Sequence, residues 1–537
     1  MAGIGIGWRR AVALAALTAS LGFAEAGTAQ AESVLRIVPQ ADLKLLDPVF
    51  TTANITSNHG YMIYDVLFAL DAKLEPKPEM VDSWSVSKDN LVWSFKLRPG
   101  LKFSDGSPVE TKDVIPSIKR WAARMPAGQT MMKYVDDIVA TDAQDFEIRL
   151  KQPFGAMLIA LAGPENPLFI MREKEAKVDP NAQIQEYVGS GPFVFAKDEW
   201  APGNKVVYKK NPFYVPRKDP PSGFAGAKIA KVDRVEWIYL PEAATAVQAL
   251  ANGEVDAIEI PSPDLLPVLR KNPDIVVKVI DHVGTQAIMR TNSLVPPFDN
   301  VKARQALLYL VGNQKDYLDG MVGDEKLEVP CWAVLVCGTP LATKAGIGDW
   351  PKLDPKAGIA KAKELFEEAG YKGEKVVLMD PTDQHLAHVQ ALVTADKLRQ
   401  AGVNVDLQAM DWSTMTSRRP IKDSPEKNPG GWNIFFTWGG GLAMDSPLTN
   451  IGLPTPCDKS NWFGWPCDEK LEKLRLSFFD ATTPQAQKQV VEEMQKRFYE
   501  VVPYIPPAQF LAPTAYRKNL HGVLDTARLV LWNIEKE

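Results

Sequence analysis

The chain has 537 residues, 24% of them charged, with 61 Lys and Arg against 66 Asp and Glu and a net charge of −5. A mildly acidic balance lacks the basic surface that nucleic acid demands, so nucleic acid is excluded as the expected partner. Beyond one short apolar run at the start, no stretch approaches the ~20 apolar residues that span a bilayer, and a chain this long divides into two or three lobes with their own cores.

Residues 1–31 read as a secretory signal. Trp8-Arg9-Arg10 supplies the positive start, residues 11–24 the apolar run, and Ala29-Gln30-Ala31 an A-x-A cleavage site before Glu32. Trp8 before the arginine pair and Ala11-Val12 after it fit a twin-arginine signal poorly, so ordinary secretion is expected. No cysteine near the cleavage site offers a lipid anchor, which points to a free periplasmic protein. Removing this segment leaves 506 residues with a net charge of −6. Four cysteines in an oxidising compartment imply disulfides. They allow three pairings; the local pairs, Cys331 with Cys337 and Cys457 with Cys467, close short loops and are the expected ones. A metal site is the rival, but it lacks CxxC spacing and a His close in sequence. No cofactor is expected.

In chain order, residues 35–38 alternate as a first strand, and Leu46-Asp47-Pro48 leads to a polar stretch over 51–59. An apolar helix start follows at 61–67. Leu91, Trp93, Phe95 and Leu97 fall on one face of a half-buried strand. Pro99-Gly100 breaks it, residues 101–103 restart it, and residues 104–108 form a turn. Thr111 is placed to cap a helix beginning near Lys112, with Asp113 at its positive end.

These residues also carry a pattern. Trp84-Ser85-x-Ser87-x-Asp89 is followed by Trp93-Ser94-Phe95-x-Leu97-Arg98-x-Gly100-x-Lys102-Phe103-Ser104-Asp105-Gly106-x-Pro108-Val109, then Lys112-Asp113-Val114. The order resembles the extracellular solute-binding proteins of family 5, the peptide- and nickel-binding components of ABC importers. Further on, Gly189-Ser190-Gly191-Pro192-Phe193, the run Asn211-Pro212-Phe213-Tyr214, the Leu250 to Asp256 segment, Val301 to Leu307 and Gly370-Tyr371 resemble that family too. The resemblance implies an α/β, periplasmic binding protein-like fold: two lobes joined by a two-segment hinge, with an additional subdomain in the first. It places the first lobe at 32–69, 199–285 and 511–537, the subdomain at 70–198 and the second lobe at 286–510. It also implies that the loop after Leu46-Asp47-Pro48 reaches the interlobe cleft, so that Thr52, Asn54 and His59 face a ligand.

The residues between these markers read as α/β on their own. A strand at 235–239 precedes a helix at 243–251, closed by Asn252-Gly253 and followed by a strand at 255–258. Residues 284–292 are extended, and the resemblance implies that they form the first crossing between the lobes. Residues 376–379, 385–400 and 403–407 make a β-α-β unit. Pro484 opens a long helix to Tyr499, Pro503, Pro506 and Pro507 prevent its continuation, and residues 505–516 form a second crossing.

The candidate pocket lies in 411–467, which holds Trp412, Trp432, Trp438, Trp462 and Trp465. Trp432 is read as core. Trp438, with Gly439, Gly440 and Gly441 after it, is read as a ligand wall, because backbone without side chains admits a ligand beside an aromatic face. Trp412 is placed with it. In the peptide binders of the resembled family, an Asp separated from this Trp by two residues holds the ligand ammonium; here that place is Gly441 and the nearest acid is Asp445. Arg418, beside Arg419, is the candidate for a ligand carboxylate. His385 and His388 share a helix face at a spacing that suits a metal chelate, a minor alternative.

The expected function is therefore capture of a small solute, a short peptide or an amino-acid-derived compound, in the cleft by hinge closure, and delivery to a membrane permease by a monomeric receptor. The rival, a secreted hydrolase, lacks a nucleophile elbow and HExxH, and no G-x-x-x-x-G-K-[ST] makes this chain the ATP-hydrolysing partner.

Overall fold

Three sheets organise the structure. The computed structural model describes residues 32–537; the expected signal segment and its cleavage site lie outside the described residues. A seven-stranded mixed sheet runs Ile275–Val279, Pro513–Arg517, Ala257–Ile258, Val34–Val38, Arg234–Ile238, Lys205–Lys210 and Phe193–Phe195 in spatial order. A six-stranded sheet runs Glu328–Val329, Gln509–Phe510, Thr285–Thr291, Ile434–Gly440, Val376–Pro381 and Val405–Met410. A four-stranded antiparallel sheet, Val81–Val86, Val92–Leu97, Asp145–Leu150 and Val135–Ala140, stands apart from both.

The local signals explain most of these elements. In Val92–Leu97, Phe95 and Leu97 turn into the core and Lys96 outward, and Phe95 stacks on Phe146 of the neighbouring strand at 5.0 Å between ring centroids. The helix Ala243–Asn252 stops at Gly253, whose φ of +77° lets the chain turn back at no steric cost. The helix Pro484–Val501 starts from Thr483, whose side chain accepts from the Ala486 N–H. Thr111 departs from its expected role. The helix Thr111–Arg124 starts one residue earlier, at Glu110, whose N–H is held by the Asp113 carboxylate. The Thr111 hydroxyl donates to Asp142 O at 2.6 Å and takes no part in the cap.

The chain passes between the two large sheets twice, at 280–284 and at 511–512. The passages touch: a Cβ built on Gly284 (φ +72°) would lie 2.2 Å from Phe510 O, so only glycine permits the approach. Paired crossings of this kind form a hinge that bends without unfolding either lobe. One buried ion pair ties the loop after Leu46 to the helix Thr111–Arg124. Arg120, on Thr111–Arg124, donates to both oxygens of Asp47 at 3.1 and 2.8 Å, and Asp47 also accepts from the N–H groups of Val49 and Ile184.

Both expected disulfides are present, Cys331–Cys337 and Cys457–Cys467, with Cα separations of 5.9 and 4.6 Å. Replacing both Cys457 and Cys467 by alanine is expected to cost about 2–3 kcal/mol, because a loop of this length loses about that much closure entropy in the unfolded chain. A thermal melt of the double variant against the parent checks it. Among the described residues, no helix is long and apolar enough to cross a membrane.

Candidate functional site

In the six-stranded sheet, Val376–Pro381, Val405–Met410 and Ile434–Gly440 run parallel, so their C-terminal ends open on the same side. That is the side on which open α/β sheets bind ligands. Trp412, at the start of Trp412–Arg418, and Trp438, near the end of Ile434–Gly440, meet there with ring centroids 5.3 Å apart, both half-buried. Asp411 caps that short helix by accepting from Thr414 N–H. Behind Trp412 sits the Arg419 guanidinium, 5.8 Å from the Trp412 ring, 5.6 Å from Phe435 and 5.3 Å from Phe463. A cation over three rings fixes the tryptophan without a carboxylate. Trp432 is fully buried among Phe435 and Trp465, a core residue as its sequence context indicated.

The three glycines differ. Gly439 and Gly440 are half-buried, and a Cβ on Gly440 would lie 3.4 Å from Glu165 Oε1. Gly441 corrects the expectation. It is buried, its N–H is spent on Gly284 O at 2.6 Å, and a Cβ would strike Val283, so it belongs to the hinge packing and offers no donor to a ligand.

A chain of polar groups reaches this wall through Glu165. Glu259 accepts from Gln40 N–H at 2.9 Å and from Asn58 Nδ2 at 2.7 Å. Asn58 Oδ1 in turn accepts from Arg528 Nη1 at 3.2 Å, and Arg528 Nη2 donates to Asn54 Oδ1 at 3.3 Å and to Glu165 Oε2 at 2.9 Å. Glu165 therefore joins Arg528 on one side and faces Gly440 on the other. Half-buried Asp445 follows Gly440 and accepts from Thr449 Oγ1 at 3.3 Å. Burial, with the Glu165 carboxylate adding to it, pushes the Asp445 carboxyl up to about 7. Burial also raises Glu259 and Asp281, and Glu165 adds to the shift of Asp281. Three carboxyl groups are thus held above their ordinary range, two of them within the influence of Glu165 and one within that of Arg528.

The remaining predicted residues fall elsewhere. Thr52 is exposed just ahead of Asn54–Ile63, and Asn54 turns to Arg528; neither side chain caps that helix, whose N-cap is Ala53. His59 is corrected: it is fully buried, its Nδ1 is 2.9 Å from Tyr208 Oη, and it packs edge-on against Phe195. Burial pulls it down to about 3, so it stays neutral inside the first lobe and does not face the cleft. Arg418 is corrected as well. Its three nitrogens donate to Gly430 O, Gln408 Oε1 and Gly431 O, which braces the 420–431 loop and leaves no fork for a ligand carboxylate. His388 pairs with Asp380 at 2.6 Å while His385 lies 3.3 Å from Met321 O, so the two rings have separate partners.

Glu165, Glu259 and Arg528 had no sequence signal. Glu165 sits in Gly163-Pro164-Glu165-Asn166-Pro167 and Arg528 near the C-terminus, and neither stands in a periodic pattern. The one available hint was the pair of prolines around Glu165, which marks a rigid loop of the kind that carries binding residues.

Two α/β lobes on paired crossings, with an aromatic wall on one and a charged polar chain on the other, define a receptor that encloses a small solute. The profile of the bacterial extracellular solute-binding proteins, family 5 Middle, matches residues 75–459, and the chain belongs to that family. Members are substrate-binding components that act with the permease subunits of ABC transporters, and the class is not enzymatic. The chain is 39% identical, over 92% of both sequences, to the probable peptide ABC transporter periplasmic-binding protein y4tO of Sinorhizobium fredii. It is 26% identical, over 89% of both, to the glutathione-binding protein GsiB of Escherichia coli K12. In structure it matches the periplasmic binding protein DppA from Helicobacter pylori in complex with the peptide STSA, with a TM-score of 0.75 at 20% identity, covering 94% of this chain and 99% of that one.

Proposed function

We propose that this chain is the periplasmic receptor of an importer for short peptides or related amino-acid-derived solutes, and that it works as a monomer. The lobes in this reading are 32–69, 199–285 and 511–537 for the first, 70–198 for its subdomain and 286–510 for the second. The solute enters between them, the hinge closes, and the closed form docks on the permease. Closure replaces water around the ligand's polar groups with fixed partners, which is where such a receptor gains affinity and selectivity. Trp412, Trp438, Gly439 and Gly440 form one wall, and Asn54, with Thr52 at the rim, belongs to the other.

The observation that carries the reading is the place of the Glu165 carboxylate beside Gly440 at the aromatic wall, near enough to Asp445 to help raise its carboxyl. One arginine, already bonded to Glu165, leaves the site with an excess of acid, which suits a ligand ammonium. The peptide name of the 39%-identical relative supports the same class. Native mass spectrometry of the protein taken from a periplasmic extract tests it. A bound mass that fragments as a peptide or amino-acid conjugate is expected, on a single copy of the chain. An empty protein whose melting temperature ignores a dipeptide and tripeptide panel but rises with sugars would overturn it.

A further inference from the structure

The two oxygens of Glu165 face different groups. Oε2 accepts from Arg528 Nη2 at 2.9 Å, while Oε1 lies 3.4 Å from the place that a Cβ on Gly440 would take, beside the aromatic wall. Apart from that one short bond, Arg528 is spread over neutral acceptors. Its Nη groups reach Asn54 O at 3.3 Å, Asn54 Oδ1 at 3.3 Å, Asn58 Oδ1 at 3.2 Å and Glu165 O at 3.4 Å. All four distances stand at or beyond the long end of the ordinary hydrogen-bond range. Its Nε is buried and has no acceptor among the described residues. The Arg528 side chain is 6% exposed and that of Glu165 16%, so little water reaches either charge.

We propose that Arg528 receives a carboxylate of the solute, and that the receptor selects α-amino-acid head groups, solutes whose ammonium and carboxylate stand on one carbon. The inference rests on the reading of this cleft as an ammonium site. Charge balance calls for the second group. An ammonium drawn to Glu165 competes with Arg528 for the same carboxylate, and a guanidinium this buried is costly to leave without a counter-charge. A solute that brings its own carboxylate restores the balance, and the unpartnered Nε beside an Nη offers the paired donors that a carboxylate fits. Distance sets the class. The two receiving groups touch at 2.9 Å, so the two ligand charges must be neighbours. On one carbon, the ammonium nitrogen and the carboxyl carbon are about 2.5 Å apart, whereas the ends of an extended dipeptide stand roughly 7 Å apart.

Calorimetric titration of the purified protein with three probes tests it. Nε-acetyllysine carries both charges on one carbon, Nα-acetyllysine has the same atoms and charges set apart, and alanylalanine has the charges at its two ends. Nε-acetyllysine is expected to bind at least tenfold more tightly than either of the others. Arg528→Lys keeps the charge and loses the paired donors, and should shrink that preference to less than about threefold. Alanylalanine binding as tightly as Nε-acetyllysine overturns the head-group selectivity and leaves the peptide receptor standing. Absence of binding by Nε-acetyllysine also overturns the selectivity; if dipeptides fail as well while sugars raise the melting temperature, the reading beneath it falls too. A preference that survives Arg528→Lys in full overturns the role of Arg528. Should Arg528→Lys fail to fold, a crystal structure of the parent with Nε-acetyllysine decides. A carboxylate seated on Arg528 Nε and Nη supports the assignment, and a carboxylate seated elsewhere overturns it.

Discussion

Replacing Arg120 by methionine is expected to destabilise the protein by roughly 3–5 kcal/mol, the usual cost of stripping one partner from a buried ion pair. The Arg120 and Asp47 side chains are 1% and 0% exposed. Arg120 also donates to Val178 O and Ala182 O, and Asp47 gathers the N–H groups of Val49 and Ile184. Methionine keeps the bulk and removes every donor, so Asp47 stays as a buried carboxylate with no cation, and two carbonyls lose their partners. The three segments that meet at this pair, 47–49, Thr111–Arg124 and 178–184, then lose their common anchor. Urea denaturation of the variant reads the loss. Adding Asp47→Asn should recover part of it, because the uncompensated charge goes while an acceptor for one N–H remains. A loss below about 1 kcal/mol would mean that water reaches the pair, as it does at surface ion pairs.

The second large effect is at the cleft. Asp445→Asn and Glu165→Gln are each expected to weaken binding of an ammonium-bearing ligand by about 30-fold or more, since truncating a desolvated charge contact costs about 2–5 kcal/mol. Asp445→Asn should do the opposite to the empty protein. Its carboxyl is pushed up to about 7 by burial and by Glu165, whereas in the unfolded chain it titrates near 3.8. Between those values the folded state binds a proton that the unfolded state has released, so this group lowers stability as pH rises through the window, and the full cost stands above pH 7. The parent should therefore lose stability relative to Asp445→Asn from pH 4 to 7. At pH 8 the variant is expected to be about 2 kcal/mol more stable, about half of what the whole shift would give, because the side chain is partly solvated. For the same reason, ammonium binding by the parent should strengthen as pH climbs towards 7, since the proton must leave before the charge pair forms. Melting curves from pH 5 to 8 and calorimetric titrations at pH 6 and 7.5 check both signs. Unchanged affinity in Asp445→Asn would place Asp445 outside the binding surface.

What could be read along the chain was whatever short spacing controls. The strand face of Phe95 and Leu97, the stop at Gly253, the cap at Thr483 and the two short disulfide loops each depend on residues within about ten positions. The family pattern over 84–114 was legible for a related reason: a turn between strands needs Gly and Pro at set places, and those places survive as an ordered run of letters. Thr111 shows the boundary. The capping position was off by one residue: Glu110 holds it, with its N–H on the Asp113 carboxylate, while the Thr111 hydroxyl donates to Asp142 O, 31 positions away.

The site is a different kind of object. Arg528 meets Glu165 across 363 positions and Asn58 across 470, and Glu259 meets Asn58 across 201. No periodicity links such pairs, because a long-range contact depends on how lobes pack and not on local backbone angles. Trp438 and Trp412 were legible as candidates since aromatic residues beside glycines are conspicuous, but His59 and Arg418 were equally conspicuous and proved to be a core aromatic contact and a loop brace. Burial decided between them, and burial is a property of the folded surface. The sequence by itself determined the strands, helices, disulfides and family of this protein, through local sterics and hydrophobic alternation. Only the tertiary structure decided which charges meet across the cleft, because that depends on distances which exist after the chain has packed.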